Sequence, residues 1–392
     1  MPESQRRVTI LGSTGSIGCQ TIDVIERLNK QGHAFSVVGL SAGQNIALLS
    51  QQIDRLHPSV VCIKERSTAQ TLYKRFPHLR ILTGEEGLKK VCRMDGVDLV
   101  VNALTGAAGL GPTLESLQLG RTVALANKES LVIGGDLVSE LLAKYKGKIL
   151  PIDSEHNALM QCLWAGRLAE VVRVIITASG GPFLHTPAEE LVHVRPEQAL
   201  RHPNWSMGKR ISIDSATMVN KGFEVIEAHH LFSLPYEKID VIIHPGSAIH
   251  SFVEYCDGSI LAELAAPDMR IPIQYALAYP ARVETGLPRL DLEKIGRIEL
   301  EALSREQFPA FVTVLSAGQI GGTAPAAINA ADEVLVDRFL KEEIPFTALA
   351  EGLEAILSRH IDRTTDTKQR ADFSAILATD KWARKEARNL FL

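Results

Sequence analysis

No two of the five cysteines form a CxxC pair; Cys19, Cys62, Cys92, Cys162 and Cys256 are scattered singly. An odd, dispersed set argues against a disulfide framework or a thiolate zinc site and reads as reduced thiols. The chain also lacks any apolar run of the roughly 18–20 residues that a membrane helix needs. Strong charge imbalance is missing too: the net charge is −4, so neither nucleic acid nor an anionic membrane is an expected partner. The first strand pattern begins by Val8, which leaves no room for a signal or transit peptide and makes a cytoplasmic location the expectation. Internal repeats and low-complexity stretches are absent. What remains is ordinary globular composition, 45% apolar and 22% charged, spread over 392 residues, a length that calls for more than one domain.

Within residues 1–150, short apolar runs alternate with helical patterns. Strands are expected at 8–11, 36–40, 60–63, 98–103, 122–126 and 148–152, and helices at 20–28, 46–56, 87–94 and 131–144. Such alternation predicts an α/β fold, a Rossmann-like parallel sheet covered on both faces. Residues 151–285 predict an α+β domain instead. Strands are expected at 172–178, 241–244, 249–255 and 259–264, with a helix over 215–232 capped by Asp214 or Ser215. Cys256-Asp257-Gly258 reads as a hairpin turn. The segment 182–207 exceeds the usual loop length and is a candidate lid. Residues 286–311 read as a charged connector, and 312–392 as a C-terminal helical domain.

Gly12-Ser13-Thr14-Gly15-Ser16-Ile17-Gly18 follows a strand pattern and opens a helical one. Glycines there permit a tight turn, and a helix N-terminus can meet a pyrophosphate, so the stretch reads as a dinucleotide loop. Thr14 occupies the place of the second glycine of GxGxxG. A plain glycine turn without a nucleotide is the alternative. The next strand ends in Ser41-Ala42-Gly43-Gln44-Asn45, without the carboxylate that an NAD site places against the ribose hydroxyls; this favours NADPH.

Two groups of carboxylates stand out. Asp153 and Glu155 lie two apart after the apolar run Ile149–Ile152, so in an extended segment both point to one side. Glu224 follows Asn220 and Lys221 at helical spacing, which puts the three on one face, while Val219, Phe223 and Ile226 line the other. Carboxylates without cysteine suit a hard divalent cation such as Mg²⁺ or Mn²⁺, or Co²⁺. The blander alternative makes Asp153 a helix cap and Glu224 the partner of Lys221 on a solvated face. Glu227 is a rival ligand that spacing does not exclude.

Ser179-Gly180-Gly181-Pro182 closes a strand pattern, and its hydroxyl and amides could receive an anion. Ser215, Asn220 and Lys221 add donors and a positive charge, an inventory that fits a phosphate-bearing substrate. His202, Trp205 and Met207 share a loop that could close over a ligand.

Taken together, Gly12–Gly18, Ala126-Asn127-Lys128-Glu129-Ser130, Asp153–Asn157, Ser179–Phe183, His202–Glu224, His244–Ser251 and Ala262–Ile273 resemble the 1-deoxy-D-xylulose 5-phosphate reductoisomerases, over essentially the whole chain. The resemblance implies a homodimer built from an NADPH domain (1–150), a catalytic domain (151–285), a connector (286–311) and a helical domain (312–392). It implies Asp153, Glu155 and Glu224 as metal ligands, and Ser154, Ser179, His202, Ser215, Asn220 and Lys221 as contacts of the sugar phosphate. Trp205 and Met207 would belong to the lid. Cofactor contacts would be Gly12, Thr14, Gly15, Ser16, Ile17, Gly18, Gly43, Gln44, Asn45, Asn127, Glu129 and Gly208. Lys128, Glu155 and His202 would take part in the chemistry.

The implied reaction is a skeletal rearrangement of a sugar phosphate followed by hydride transfer from NADPH, giving 2-C-methyl-D-erythritol 4-phosphate. Competing readings are another metal-assisted NADP-dependent oxidoreductase, or a non-catalytic NADPH sensor. Three positions depart from the resemblance: Gln44 stands where many members have Lys or Arg, Glu263 where Gln is common, and Asp332 where Asn is common.

Overall fold

The computed structural model describes residues 5–201, 205, 207–364 and 370–391. The chain forms two compact units: residues 1–130, 138–157 and 268–286 make up the first, and 131–137, 158–267 and 287–392 the second.

In the first unit seven strands alternate with helices: β1 (Arg6–Leu11), α1 (Ser16–Lys30), β2 (Phe35–Ala42), α2 (Ile46–Leu56), β3 (Val60–Ile63), α3 (Arg66–Arg75), β4 (Arg80–Thr83), α4 (Gly84–Cys92), β5 (Leu99–Asn102), α5 (Leu110–Gln118), β6 (Thr122–Leu125), α6 (Glu129–Lys144) and β7 (Lys148–Pro151). All pair in parallel in the order β4-β3-β2-β1-β5-β6-β7. The expected Rossmann-like sheet is therefore present, with its order reversing between β1 and β5, where ligands of such sheets gather. The inner strands are apolar throughout because both faces are covered; β3 and β5 are buried at every residue. Strand β4 and helices α3 and α5 had no expectation in the sequence. The strand is a four-residue edge with Ile81 as its one buried side chain, too little for a period to show. Helix α7 (Ser154–Leu163) starts in this unit, and α11 (Arg270–Ala278) packs on α1.

The second unit holds a mixed sheet, β11-β10-β8-β9-β12, made of β8 (Val171–Ala178), β9 (Ile239–Ile243), β10 (Ile249–Tyr255), β11 (Ile260–Leu264) and the two-residue β12 (Glu301–Ala302). The expected hairpin joins β10 to β11 in antiparallel pairing, with Gly258 at φ +84° in its turn. The stretch 182–207 is less bare than expected, since Ala188–His193 forms a 3₁₀ turn and α8 (Pro196–Ala199) follows. The helix expected over 215–232 is two: α9 (Lys209–Ala216) and α10 (Val219–Phe232), separated by Met218 at φ +62°. Ser215 thus closes one helix and caps none.

The short α12 (Leu292–Ile295) is followed by α13 (Pro309–Ile320), α14 (Ala324–Leu340), α15 (Ala348–Arg363) and α16 (Phe373–Asn389), the expected C-terminal helical region. In this unit the backbone of α6 kinks at Gly134, and the ring of His230 fills the space that a side chain at Gly135 would need. Burial and the neighbouring His229 push the His230 imidazole down to about 4, with Asp136 opposing them. Among the described residues no helix is long and apolar enough to cross a membrane.

Candidate active site

The glycine loop is built as a nucleotide loop requires. Gly12 sits at φ +78°, where a Cβ would run into the carbonyl of Ala103 just past β5. A Cβ on Gly18 would strike the backbone of Gly12 and Ser13, so the first turn of α1 can lie on the loop only without one. Gly15 and Ser16 are exposed at the open N-terminus of α1, and Thr14 and Ile17 are half-buried beside them. Three residues that sequence reasoning missed hold the loop to β2 and α2. Ser41 Oγ accepts from Gly12 N (3.0 Å), Ser13 Oγ donates to Gln52 Oε1 (2.7 Å), and Gln52 Nε2 donates to Ser13 O (2.8 Å). Nothing in their spacing marks them.

At the end of β2, Gly43, Gln44 and Asn45 are exposed, and the Asn45 side chain caps α2 by accepting from Leu48 N at 3.1 Å. Asn127 is buried at the start of α6. Its amide donates to Leu104 O, Gly106 O and Glu129 Oε2, while Glu129 Oε1 accepts from Gly106 N. These two side chains clamp the loop after β5, the strand end on which Gly12 rests.

The acidic cluster follows β7, but the geometry differs from the extended one expected. Asp153 stands at the N-cap position of α7, accepting from Glu155 N at 3.2 Å, and Glu155 lies in the helix's first turn. Alternation along a strand therefore does not govern this pair. Ser154 Oγ donates to Glu155 Oε2 at 2.5 Å. Burial works to raise the Asp153 carboxyl, but Lys128 Nζ at 2.7 Å and His156 Nδ1 at 2.9 Å outweigh it and hold the group well below the usual carboxylate range. His156, fully buried, is a partner that sequence reasoning missed; its one signal is the i, i+3 offset from a helix-capping aspartate.

In the second unit, Lys221 is 4% and Glu224 1% exposed, and the two form an ion pair one turn apart on α10. Asn220 Nδ2 donates to Glu224 Oε1 at 2.6 Å. The face is buried and not solvated, but the Lys221–Glu224 pairing and the capping by Asp153 that the blander alternative named are both present. Glu227 is equally buried on the same helix.

Ser179 follows β8, with Oγ accepting from Gly181 N at 3.3 Å. Gly180 and Gly181 both have positive φ, and a side chain at Gly181 would meet the backbone of Ser215 and Ala216. The Ser179 turn and the C-terminus of α9 are therefore neighbours. Trp205 is half-buried, its ring centroid 6.2 Å from that of the buried His250; Met207 is half-buried, and Gly208 is the exposed residue preceding α9. His202 lies outside the described residues.

Three family models match the chain. The model of 1-deoxy-D-xylulose 5-phosphate reductoisomerase covers residues 8–135, that of its C-terminal domain 149–232, and a further DXP reductoisomerase C-terminal domain 264–386. Among curated proteins, the 1-deoxy-D-xylulose 5-phosphate reductoisomerase of Chlorobaculum tepidum is 48% identical over 98% of this chain and 99% of its own. That of Prosthecochloris aestuarii is 46% identical over 99% and 100%. A crystal structure of DOX-P reductoisomerase with NADPH, fosmidomycin and magnesium superposes with a TM-score of 0.92 at 40% identity, covering 98% of each chain. The Zymomonas mobilis enzyme in complex with NADPH gives 0.90 at 41% over 99% of each.

Proposed function

The chain belongs to the 1-deoxy-D-xylulose 5-phosphate reductoisomerase family, and from that membership we propose how its side chains divide the work. It is an NADP-dependent oxidoreductase and isomerase that turns 1-deoxy-D-xylulose 5-phosphate into 2-C-methyl-D-erythritol 4-phosphate with NADPH and a divalent metal, in the non-mevalonate route to isoprenoid precursors. The observation that carries this reading within the molecule is Asp153. It is a carboxylate kept ionised at the C-terminal end of the same parallel sheet whose first strand opens the glycine loop.

Both cofactors suit the residues present. The loop at Gly12 and Gly18 has no room for side chains, as a pyrophosphate cradle requires, and α1 opens toward it. Gly12, Thr14, Gly15, Ser16, Ile17 and Gly18 would hold the dinucleotide, joined by the turn at Gly43, Gln44 and Asn45 and by Gly208, with Asn127 and Glu129 shaping the loop beside it. For the metal, Asp153, Glu155 and Glu224 offer hard oxygen donors, and Lys128 and Lys221 pair with two of those carboxylates. When bound, the cation supplies Lewis-acid polarisation of the sugar oxygens and NADPH supplies the hydride.

The chain's own side chains do the rest. Lys221, Asn220, Ser215, Ser179, Ser154 and His202 would bind the phosphate and hydroxyls, Lys221 giving the positive charge and the others neutral or charge-assisted donors. Trp205 and Met207 would exclude water, so that a rearranging carbon skeleton is retained. Glu155 and Lys128 would move protons at the substrate hydroxyls, with Asp153 as the anionic partner of Lys128.

Residues 1–150 would form the NADPH domain and 151–285 the catalytic domain, with 286–311 connecting them to the helical residues 312–392. Mn²⁺ or Co²⁺ would substitute for Mg²⁺, and the protein would work in the cytoplasm as a homodimer. In support of the dimer, β11 is an edge strand of its sheet and carries exposed Ile260, Leu261 and Leu264.

The test is NADPH oxidation followed at its absorbance with 1-deoxy-D-xylulose 5-phosphate. Turnover should need added Mg²⁺ or Mn²⁺ and vanish with a chelator. Turnover that survives chelation, or a different sugar phosphate preferred over this one, would overturn the assignment.

A further inference from the structure

NADPH differs from NADH by one phosphate on the adenosine 2′ position. A site that prefers it places positive charge beside the C-terminal end of the second strand of a Rossmann sheet. Here that end, Gly43-Gln44-Asn45, is uncharged and exposed, and the Asn45 side chain is committed to capping α2.

Topology eliminates most other cations. Residues 5–66 contain seven lysines and arginines. Arg6 and Arg7 open β1, Arg27 and Lys30 close α1, and Arg55 closes α2. In a parallel strand–helix–strand arrangement, those five lie at the end of the sheet opposite the glycine loop. Arg55 is paired with Glu26 besides.

The two that remain, Lys64 and Arg66, follow β3. Ala42 pairs with Ile63, and Lys64 N donates to Ala42 O at 3.2 Å, so Lys64 stands level with the end of β2 on the adjacent strand. Neighbouring strands are about 4.8 Å apart, a gap that a four-carbon side chain spans. Lys64 is exposed and forms no ion pair among the described residues. Arg66 opens α3 and, with Tyr73, Glu86 and Lys90, lines a groove of about 500 Å³ against β4, on the other side of β3 from β2.

We propose that Lys64 is the residue that reads the 2′-phosphate of NADPH in this chain, contributing from β3 the charge that position 44 lacks. The proposal rests on the reading of Gly12–Gly18 as the dinucleotide loop. It makes cofactor preference a property of the third strand, one strand removed from where the sequence pattern directs attention.

Calorimetric titration of NADPH, NADH and 2′-AMP into the full-length protein, without substrate, tests it. Lys64→Ala should weaken NADPH and 2′-AMP about five- to tenfold and leave NADH unchanged, the scale of one lost charge contact. Lys64→Arg should keep most of the affinity, and the difference should shrink as added salt screens an exposed pair. Equal weakening of NADPH and NADH, or a loss seen in Arg66→Ala but not in Lys64→Ala, would overturn the assignment. If the unmodified protein binds neither dinucleotide, the loop reading falls together with the proposal. If it prefers NADPH and Lys64→Ala changes nothing, Lys64 alone falls.

Discussion

Asp153 Oδ2 lies 2.7 Å from Lys128 Nζ, and both side chains are nearly buried, so removing either charge takes away the closest partner given for the other. Breaking a buried pair from one side typically destabilises by about 3–5 kcal/mol, because the remaining ion is neither hydrated nor matched. Asp153→Asn should therefore lower stability on the order of 3 kcal/mol, and adding Lys128→Met should recover much of the loss. Urea denaturation of the two single variants and the double variant measures the coupling. Additive effects would mean that the pair contributes nothing as a pair.

Glu224→Gln keeps the size of the side chain and a hydrogen-bond acceptor but removes the charge. Turnover should fall at least about 100-fold at limiting Mg²⁺, in the range seen when a metal site loses a ligand or its support, while NADPH titration stays near normal. Near-normal activity at limiting metal would exclude Glu224 as a ligand. The same substitution at Glu227, also buried on α10, serves as the comparison.

The glycines of the nucleotide loop should not be equivalent. Gly12→Ala requires a side chain at φ +78° and against the Ala103 carbonyl, and Gly18→Ala presses on the loop backbone itself. Each should abolish measurable NADPH binding and lower the melting temperature, with roughly 1–2 kcal/mol from the left-handed backbone alone at Gly12. Gly43→Ala, where a Cβ meets open space, should leave the melting temperature unchanged.

His230 supplies a pH dependence. Its imidazole is pushed down to about 4 in the folded protein by burial and by His229, against about 6.5 when unfolded. The unfolded chain thus binds the proton more readily. Stability from this residue is fully present above pH 6.5, is lost as pH falls from there toward 4, and changes no further below. The loss should be on the order of 3 kcal/mol, at about 1.4 kcal/mol per pH unit, and His230→Phe should flatten that interval in denaturation midpoints measured against pH. An unchanged slope would mean that another group titrates there.

The exposed edge of β11 gives a test of assembly. Leu261→Glu places a charge among Ile260 and Leu264, and light scattering after size-exclusion chromatography should then report monomers. A dimer that persists would locate the contact elsewhere.

Much of this was legible from residues 1–150, because a sheet buried on both faces writes itself as apolar runs and the glycine loop adds its own punctuation. Strand β4 was not, since an edge strand needs only one buried side chain, Ile81. The local geometry of the acidic cluster was not legible either. Nothing in Pro151-Ile152-Asp153 announces that the strand has ended and a helix begun, yet that change decides where Glu155 points. The single helix expected over 215–232 failed for a related reason. Met218 is a good helix former by type, and only tertiary packing, which buries it to 2% exposure, explains its left-handed backbone. Burial of Lys221 with Glu224 was likewise invisible, because charged residues at helical spacing look the same in water and in a core.

That left-handed methionine has a consequence for how the molecule can be altered. A glycine at 218 would relieve the backbone by roughly 1 kcal/mol, but it would also withdraw a thioether from the interior and free the corner to swivel. The bend between α9 and α10 is thus kept by a residue that its own backbone disfavours, an elbow braced from inside. Engineering that aims to stiffen this protein should leave it alone.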